Sequence, residues 1–467
     1  MTVAMQGSTL RASRTVTAGS AFAVAWAGAN IIHLLNQTHG DLQLPAGWLN
    51  IAAALWVLCR PSSAHRLALL AAAQVVDTVW ELPYPPDHQL LATVVNVAVL
   101  IAYFSQRRPA AVDTLLRGFA PTARVLVLLA YLGAATAKYN SDFLSVETSC
   151  ANFMAHTASF GMLERTGTVA PLVILGTIGS ETLIPILLMI PRTRRWGVCF
   201  AIGFHYLLSL SPAIGVGDFS VTLWALYLLF LPTQDVEAVG RRMLAPWSRS
   251  RFTVGPDRVP GWAVVAVALG LILVGSVGSG VAIMLFVWLA TTIVGALLLV
   301  TLVRVLRTSP HDVRRMGRPG SGLQVLPIVL MLALVASPYL GFGTSSRFTM
   351  FSGLRTEGPG SNHLFLPSFH LIDSQNDSLV VLEANEVSST LERAARHDAG
   401  MPVVQVRQIL QDPEVSATFR TPEGKVLVVE PGDDSALRAA PTWWEAKTQH
   451  YRPFKVAGTT DEEFCSN

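Results

Sequence analysis

Among the 23 lysine and arginine residues in the first 341 positions of this 467-residue chain, one is a lysine, Lys138. Arginine keeps its proton in any protein environment, whereas a partly buried lysine can give one up and act as a base. Lys138 is therefore a candidate general base; the alternative is an interfacial lysine reaching for lipid headgroups. Six further ionisable residues lie in or beside apolar runs: His33, Asp77, Glu81, His88, Glu181 and His205. Such groups are costly in lipid and are functional candidates by default. Glu181 and His205 fall on successive runs, where they either bond to each other as helix glue or serve a proton path or a polar cofactor contact. Asp77 and Glu81 are four apart on one helix face, either an acidic pair or a solvated rim. His88 follows Pro85-Pro86-Asp87, a rigid turn in which Asp87 can cap the next helix. His88 is then either functional or an ordinary interfacial residue. Walker A, His-Glu-x-x-His, Cys-x-x-Cys and Gly-x-Ser-x-Gly motifs are missing, so metal or serine hydrolysis and nucleotide use have no support and no metal is expected.

The elements that must position these residues are membrane helices. The chain is 51% hydrophobic and only 14% charged, against about 25% charged in ordinary soluble domains. Apolar runs able to cross a hydrocarbon layer of about 30 Å occur near 16–35, 66–82, 89–105, 120–138, 169–190, 196–213, 217–232, 262–279, 281–303 and 322–341, with a shorter one at 46–59. The expected fold is a multi-pass α-helical membrane protein of about nine to eleven transmembrane helices with a C-terminal β-rich extracytoplasmic domain. Its transmembrane part covers 1–341, with a core at 15–232 and additional spans over 262–341; the external part is 342–467. The two parts carry opposite net charges, +9 and −6.

Loops on alternate sides of these runs hold 21 arginines on one face and one, Arg165, on the other. The positive-inside rule assigns the rich set to the cytoplasm, which puts the N-terminus inside and residues 342–467 outside. The first run, preceded by Arg11 and Arg14, reads as a retained helix rather than a signal peptide because it continues into Asn30 and His33. Arg241, Arg242, Trp247, Arg249 and Arg251 read as a loop contacting anionic lipid, and nothing suggests nucleic-acid binding. Cys59 and Cys199 fall at cytoplasmic span ends. Cys150 and Cys465 are both external, forming either a disulfide or two free thiols. The external part has strand-like stretches at 379–382, 403–406 and 417–430, the last a hairpin about Thr421-Pro422-Glu423-Gly424, and one helix near 388–397.

Ala137-Lys138-Tyr139-Asn140-Ser141-Asp142-Phe143 resembles the Lys-Leu-Asp-x-Asp-Trp stretch of the vitamin K-dependent gamma-carboxylases and their bacterial relatives, the HTTM (horizontally transferred transmembrane) proteins. Three more segments resemble that family in order. They are Pro86-Asp87-His88; Glu181 through Phe204-His205, Ile214-Gly215 and Phe219-Ser220; and Arg347 to Ser352 with Ser361-Asn362-His363. The similarity runs through most of 15–370. Asp87, Tyr139 and Phe143 depart from the family's asparagine, leucine and tryptophan, and the external part is shorter than in the animal enzymes.

The resemblance implies a reduced quinone, of vitamin K or menaquinone type, bound among the helices. The lysine matching Lys138 would deprotonate it, O2 would convert it to the epoxide, and a peptidyl glutamate would lose a γ-proton and capture CO2. By the same matching His88 is catalytic, Glu181 and His205 line or brace the cofactor cavity, and His33, Asp77 and Glu81 are further cofactor-binding candidates. Expected partners are the cell-membrane bilayer, the quinone and an extracytoplasmic peptide or protein. The competing reading is a transporter or non-catalytic scaffold with an external partner-binding domain, although no inverted repeat is evident.

Overall fold

A computed structural model describes residues 16–37, 45–212, 215–248, 280–309, 317–358, 360–456 and 465. The run expected at 262–279 and the arginines at 11, 14, 249, 251, 258, 314 and 315 lie outside the described residues.

The other apolar runs are all helical: α1 (Ala18–Gln37), α2 (Pro45–Cys59), α3 (Ala64–Glu81), α4 (Asp87–Ser105) and α5 (Val112–Ala137). After the single turn α6 (Ser141–Leu144) and the short α7 (Cys150–Ala158) come α8 (Ala170–Met189), α9 (Arg194–Ser209) and α10 (Gly217–Tyr227). The series continues with α11 (Thr233–Ser248), α12 (Gly280–Thr308) and α13 (Val325–Leu340). Among the described residues six helices, α1, α4, α5, α8, α12 and α13 with the helical turn Gly322–Gln324 before it, are long and apolar enough to cross a membrane, and α2 and α10 are shorter apolar helices beside them. Leu172, Leu175 and Ile186 of α8 and Leu289, Ile293 and Leu297 of α12 point outward and exposed. Outward apolar surface on this scale is what a bilayer covers. The segment with Arg241 and Arg242 is not a loop. It is α11, which buries Val236 and Val239 while both arginines stay exposed.

Apolar side chains gain little by leaving lipid for a protein interior, so close packing and polar pairs must hold such helices together. α1 supplies small residues for this purpose. A Cβ at Gly19 would lie 2.8 Å from Val112 Cγ1 and 2.9 Å from the Asp113 nitrogen, and the Gly19 N–H donates to Asp113 Oδ1 at 2.8 Å. Trp26 Nε1 donates to Asn96 Oδ1 at 3.1 Å, and Asn96 in turn donates to Gln74, tying α1, α4 and α3 through one buried polar chain.

α13 ends where Gly341 turns left-handed at φ +87 and its N–H bonds Ser337 O, a glycine C-cap. The chain then stays on the bundle end. Phe348 N donates to Asp87 Oδ1 at 2.8 Å, and Asn140 Nδ2 donates to Ser352 O at 2.8 Å. Asp87, expected as a helix cap, thus spends its carboxylate on this segment, and Pro86 occupies the cap position instead.

Beyond it lies a four-stranded antiparallel sheet in the order β2-β1-β3-β4, with β1 Ser378–Ala384, β2 Gly400–Pro402, β3 Ala417–Arg420 and β4 Val426–Val429. The β3–β4 hairpin turns as expected, with Gly424 at φ +85 and its N–H on Thr421 O. α14 (Ser389–Ala395) is capped by the Ser388 side chain on Leu391 N. The stretch 403–406 was expected to be a strand but opens α15 (Val403–Ile409). A four-residue, mostly apolar stretch does not distinguish the two by pattern. Pro402 ends β2, and the following turn buries Val403 and Val406 together against the sheet. The last short helix, α16 (Trp443–Thr448), carries a complete capping box between Thr442 and Glu445.

Cys150 and Cys465 are disulfide-bonded, with Cα atoms 5.3 Å apart, while Cys59 and Cys199 are free. A thiol reagent applied in denaturant is expected to label two cysteines per chain before reduction and four after it. Peptide mapping that finds Cys150 among the unreduced, labelled pair would refute the bridge.

His450 follows α16 and meets the Tyr84 ring at 4.9 Å. Burial, reinforced by the Arg347 charge, lowers its pKa from 6.5 to about 4. The unfolded chain therefore takes up a proton that the folded one refuses. Stability should fall as pH drops from about 6.5 towards 4, by at most about 1.4 kcal/mol per pH unit. Thermal unfolding in detergent across that range is expected to show a shallower slope for His450→Gln.

Candidate functional site

The centre of the site is the last turn of α5. Lys138 caps that helix, its N–H bonded to Ala135 O at 3.1 Å, which tightens the turn and carries the side chain inward. Asn140 fixes the backbone that follows: its side chain accepts from Phe143 N at 2.9 Å and donates to Ala137 O at 2.7 Å. Lys138 is only 4% exposed. Its Nζ lies 2.8 Å from Glu181 Oε2, 3.4 Å from Met350 O and 5.8 Å from the Phe143 ring centroid. The interfacial-lysine alternative requires a headgroup-facing amine, which this geometry does not provide.

Beside the amine is a cavity of about 190 Å³. Lys138, Glu181, His205, Tyr131, Asp87 and Thr177 are its polar lining residues, and the rest of the wall is apolar. One side is formed by Ala151, Met154, Ala155 and Ala158, the i, i+3, i+4, i+7 face of α7. Another is Phe348, Met350 and Phe351 from the segment after Gly341. Leu207, which is exposed on the outer face of α9, also lines the cavity, so it reaches the bundle surface where lipid would lie.

Glu181 and His205 share this cavity, but the partner of Glu181 is Lys138. His205 Nε2 instead pairs with Tyr131 Oη at 2.7 Å, and Tyr131 bonds Tyr227. The remaining candidates are not among the lining residues. Asp77 is buried and accepts from Asn50 Nδ2 at 2.9 Å, and the half-buried Glu81 accepts from Gln89 Nε2 at 2.5 Å, so each carboxylate has its own amide donor. His33 and His88 are buried together, with His88 Nε2 2.9 Å from His33 Nδ1 and both near Asp218. Asp218 was missed in the sequence. Its signal was available: it is the only charged residue in the 217–232 run. The Phe219 ring stands between this cluster and the cavity, 5.9 Å from the His88 ring and 5.2 Å from that of His205.

Fold and site together define a helical protein with six candidate membrane-crossing helices among the described residues, a small antiparallel sheet near the C-terminus and a buried amine on an apolar cavity. Comparison with family models, curated proteins and solved structures finds no match to this chain.

Proposed function

We propose that the protein is an integral membrane enzyme resembling the vitamin K-dependent gamma-carboxylases, which couples oxidation of a reduced quinone by O2 to carboxylation of a glutamate-type substrate with CO2. The observation that carries this reading is the buried Lys138 amine on the wall of an apolar cavity that reaches the bundle surface at Leu207. The cavity suits a flat apolar ring with a polar edge: its walls are carbon, and its polar groups gather around Lys138, Glu181 and the Tyr131–His205 pair. When bound, the reduced quinone supplies the electrons for O2 and, through that reaction, the strong base that a glutamate γ-proton requires.

The chain's own part is proton handling and exclusion of water. An amine is a base only when neutral, and Glu181 at 2.8 Å is placed to take the Nζ proton and leave a lone pair facing the cavity. Tyr131 and His205 offer a hydroxyl and an imidazole on the same wall, able to orient a ring oxygen. Phe348 and Phe351 close the side nearest the C-terminal segment. The arginine distribution supports an orientation with this end outside the cytoplasm, within reach of an extracytoplasmic peptide. Lys138 alone carries the base role, because His88 faces His33 and Asp218.

The test is purified protein given reduced vitamin K or menaquinone, O2, labelled CO2 and a glutamate-containing peptide. Epoxide together with labelled peptide is the expected result. Epoxide without label would confine the activity to quinone oxidation. Neither product, with solute flux in proteoliposomes, would replace the proposal by the transporter reading.

A further inference from the structure

His33 on α1, His88 on α4 and Asp218 on α10 bring three donor atoms to one point. His33 Nδ1 and His88 Nε2 are 2.9 Å apart, and they lie 3.4 Å and 3.1 Å from Asp218 Oδ2. All three residues are buried, at 2–4% exposure. An unprotonated imidazole nitrogen and a carboxylate oxygen each present a lone pair, and here three such atoms converge. A cation at the centre takes all three lone pairs at once. We propose that these residues form a metal site for a divalent first-row transition ion such as zinc(II) or iron(II).

The donor set decides the class of ion. Two imidazoles and one carboxylate suit zinc or iron, whereas magnesium and calcium take mainly oxygen ligands. The other carboxylate oxygen, Oδ1, already accepts from Phe219 N at 2.8 Å, which orients Oδ2 toward the histidines.

A second, independent feature points to a ligand. A cavity of about 10 Å³, lined by His33, His88, Asn30, Gln74, Trp26 and Thr222, lies against the two histidines. That is room for about one water, the group that fills the open position of three-ligand metal sites. Asn30, 3% exposed, lines this space and has a buried Oδ1 with no hydrogen-bond partner, an acceptor for a proton of that water. Asn30 Nδ2 donates to Asn50 Oδ1 at 2.7 Å, and Asn50 donates on to Asp77. The buried amides thus extend the site outward through hydrogen bonds. No motif marks it in the sequence because the ligands come from three helices at positions 33, 88 and 218.

The experiment is elemental analysis of the full chain purified in detergent without chelators, then loaded with Zn²⁺, Fe²⁺ or Co²⁺ and desalted. About one ion per chain is expected, with visible ligand-field absorption in the Co²⁺ form and a thermal transition that rises on loading and falls with chelator. His33→Gln and Asp218→Ala should lower retained metal at least about ten-fold, while Lys138→Ala, outside the triangle, should retain it. If either ligand variant fails to fold, the wild-type measurements still decide. Less than a tenth of an equivalent in loaded wild type, or unchanged metal content in folded ligand variants, overturns the site. Because the readout is bound metal, it stands or falls separately from quinone oxidation.

Discussion

Lys138→Ala protein, given reduced quinone and O2, is expected to form epoxide about 10²–10⁴ times more slowly than wild type, the usual loss when a general base is removed. The size of the effect follows from the surroundings of the amine. Nζ has a carboxylate at 2.8 Å, a carbonyl at 3.4 Å and an aromatic ring, and no other lysine or arginine lines the cavity. Lys138→Arg should be nearly as inactive, because a guanidinium does not release its proton. Glu181→Gln should fall between the two and wild type, since it removes the group that accepts the Nζ proton but leaves the amine. A small primary amine added to Lys138→Ala should restore part of the rate by entering the vacated space, an effect that a purely structural lysine would not give. Epoxide measured by chromatography decides the matter, and a Lys138→Ala protein within a few-fold of wild type would end the base assignment.

The second large effect is on stability. Arg452 is 4% exposed and donates to Thr349 O at 2.9 Å, Leu354 O at 3.0 Å and Ser352 Oγ at 3.4 Å. Its charge acts on the buried Glu357, whose pKa burial pushes up while the Thr344 hydroxyl and Arg452 pull it down. Arg452→Ala removes three donors and leaves Glu357 uncompensated, so a loss of about 3–5 kcal/mol is expected. Glu357→Gln in the Arg452→Ala background should recover part of it, because the stranded charge is gone. Thermal or denaturant unfolding in detergent measures both. A loss below about 1 kcal/mol would show that the segment is held by its backbone contacts alone. The consequence for the site is direct: residues 348–351 hang on Arg452 at one end and wall the cavity at the other, so the weakened variant should also admit water to Lys138.

What could be read before folding was whatever depends on composition and local pattern. Long apolar runs determine helices in lipid because every backbone N–H and C=O must be satisfied within the segment. The hairpin at Thr421–Gly424 was legible because its turn chemistry is local, and the end of α13 fell at the charge boundary near 342. Lys138 stood out for the same kind of reason: one residue type breaks a compositional rule. The 403–406 stretch failed because a short apolar run takes whichever conformation buries it, and that depends on neighbours far along the chain. The partners of the ionisable residues were likewise out of reach. Pairing of Glu181 with Lys138, of His88 with His33 and Asp218, and of Asp87 with Phe348 spans 43 to 261 positions. Sequence alone therefore set which polar groups enter the apolar helices and at what cost. Which of them meet was decided by tertiary structure, since a buried polar group must find its partner in space and the chain's order does not say where that partner lies.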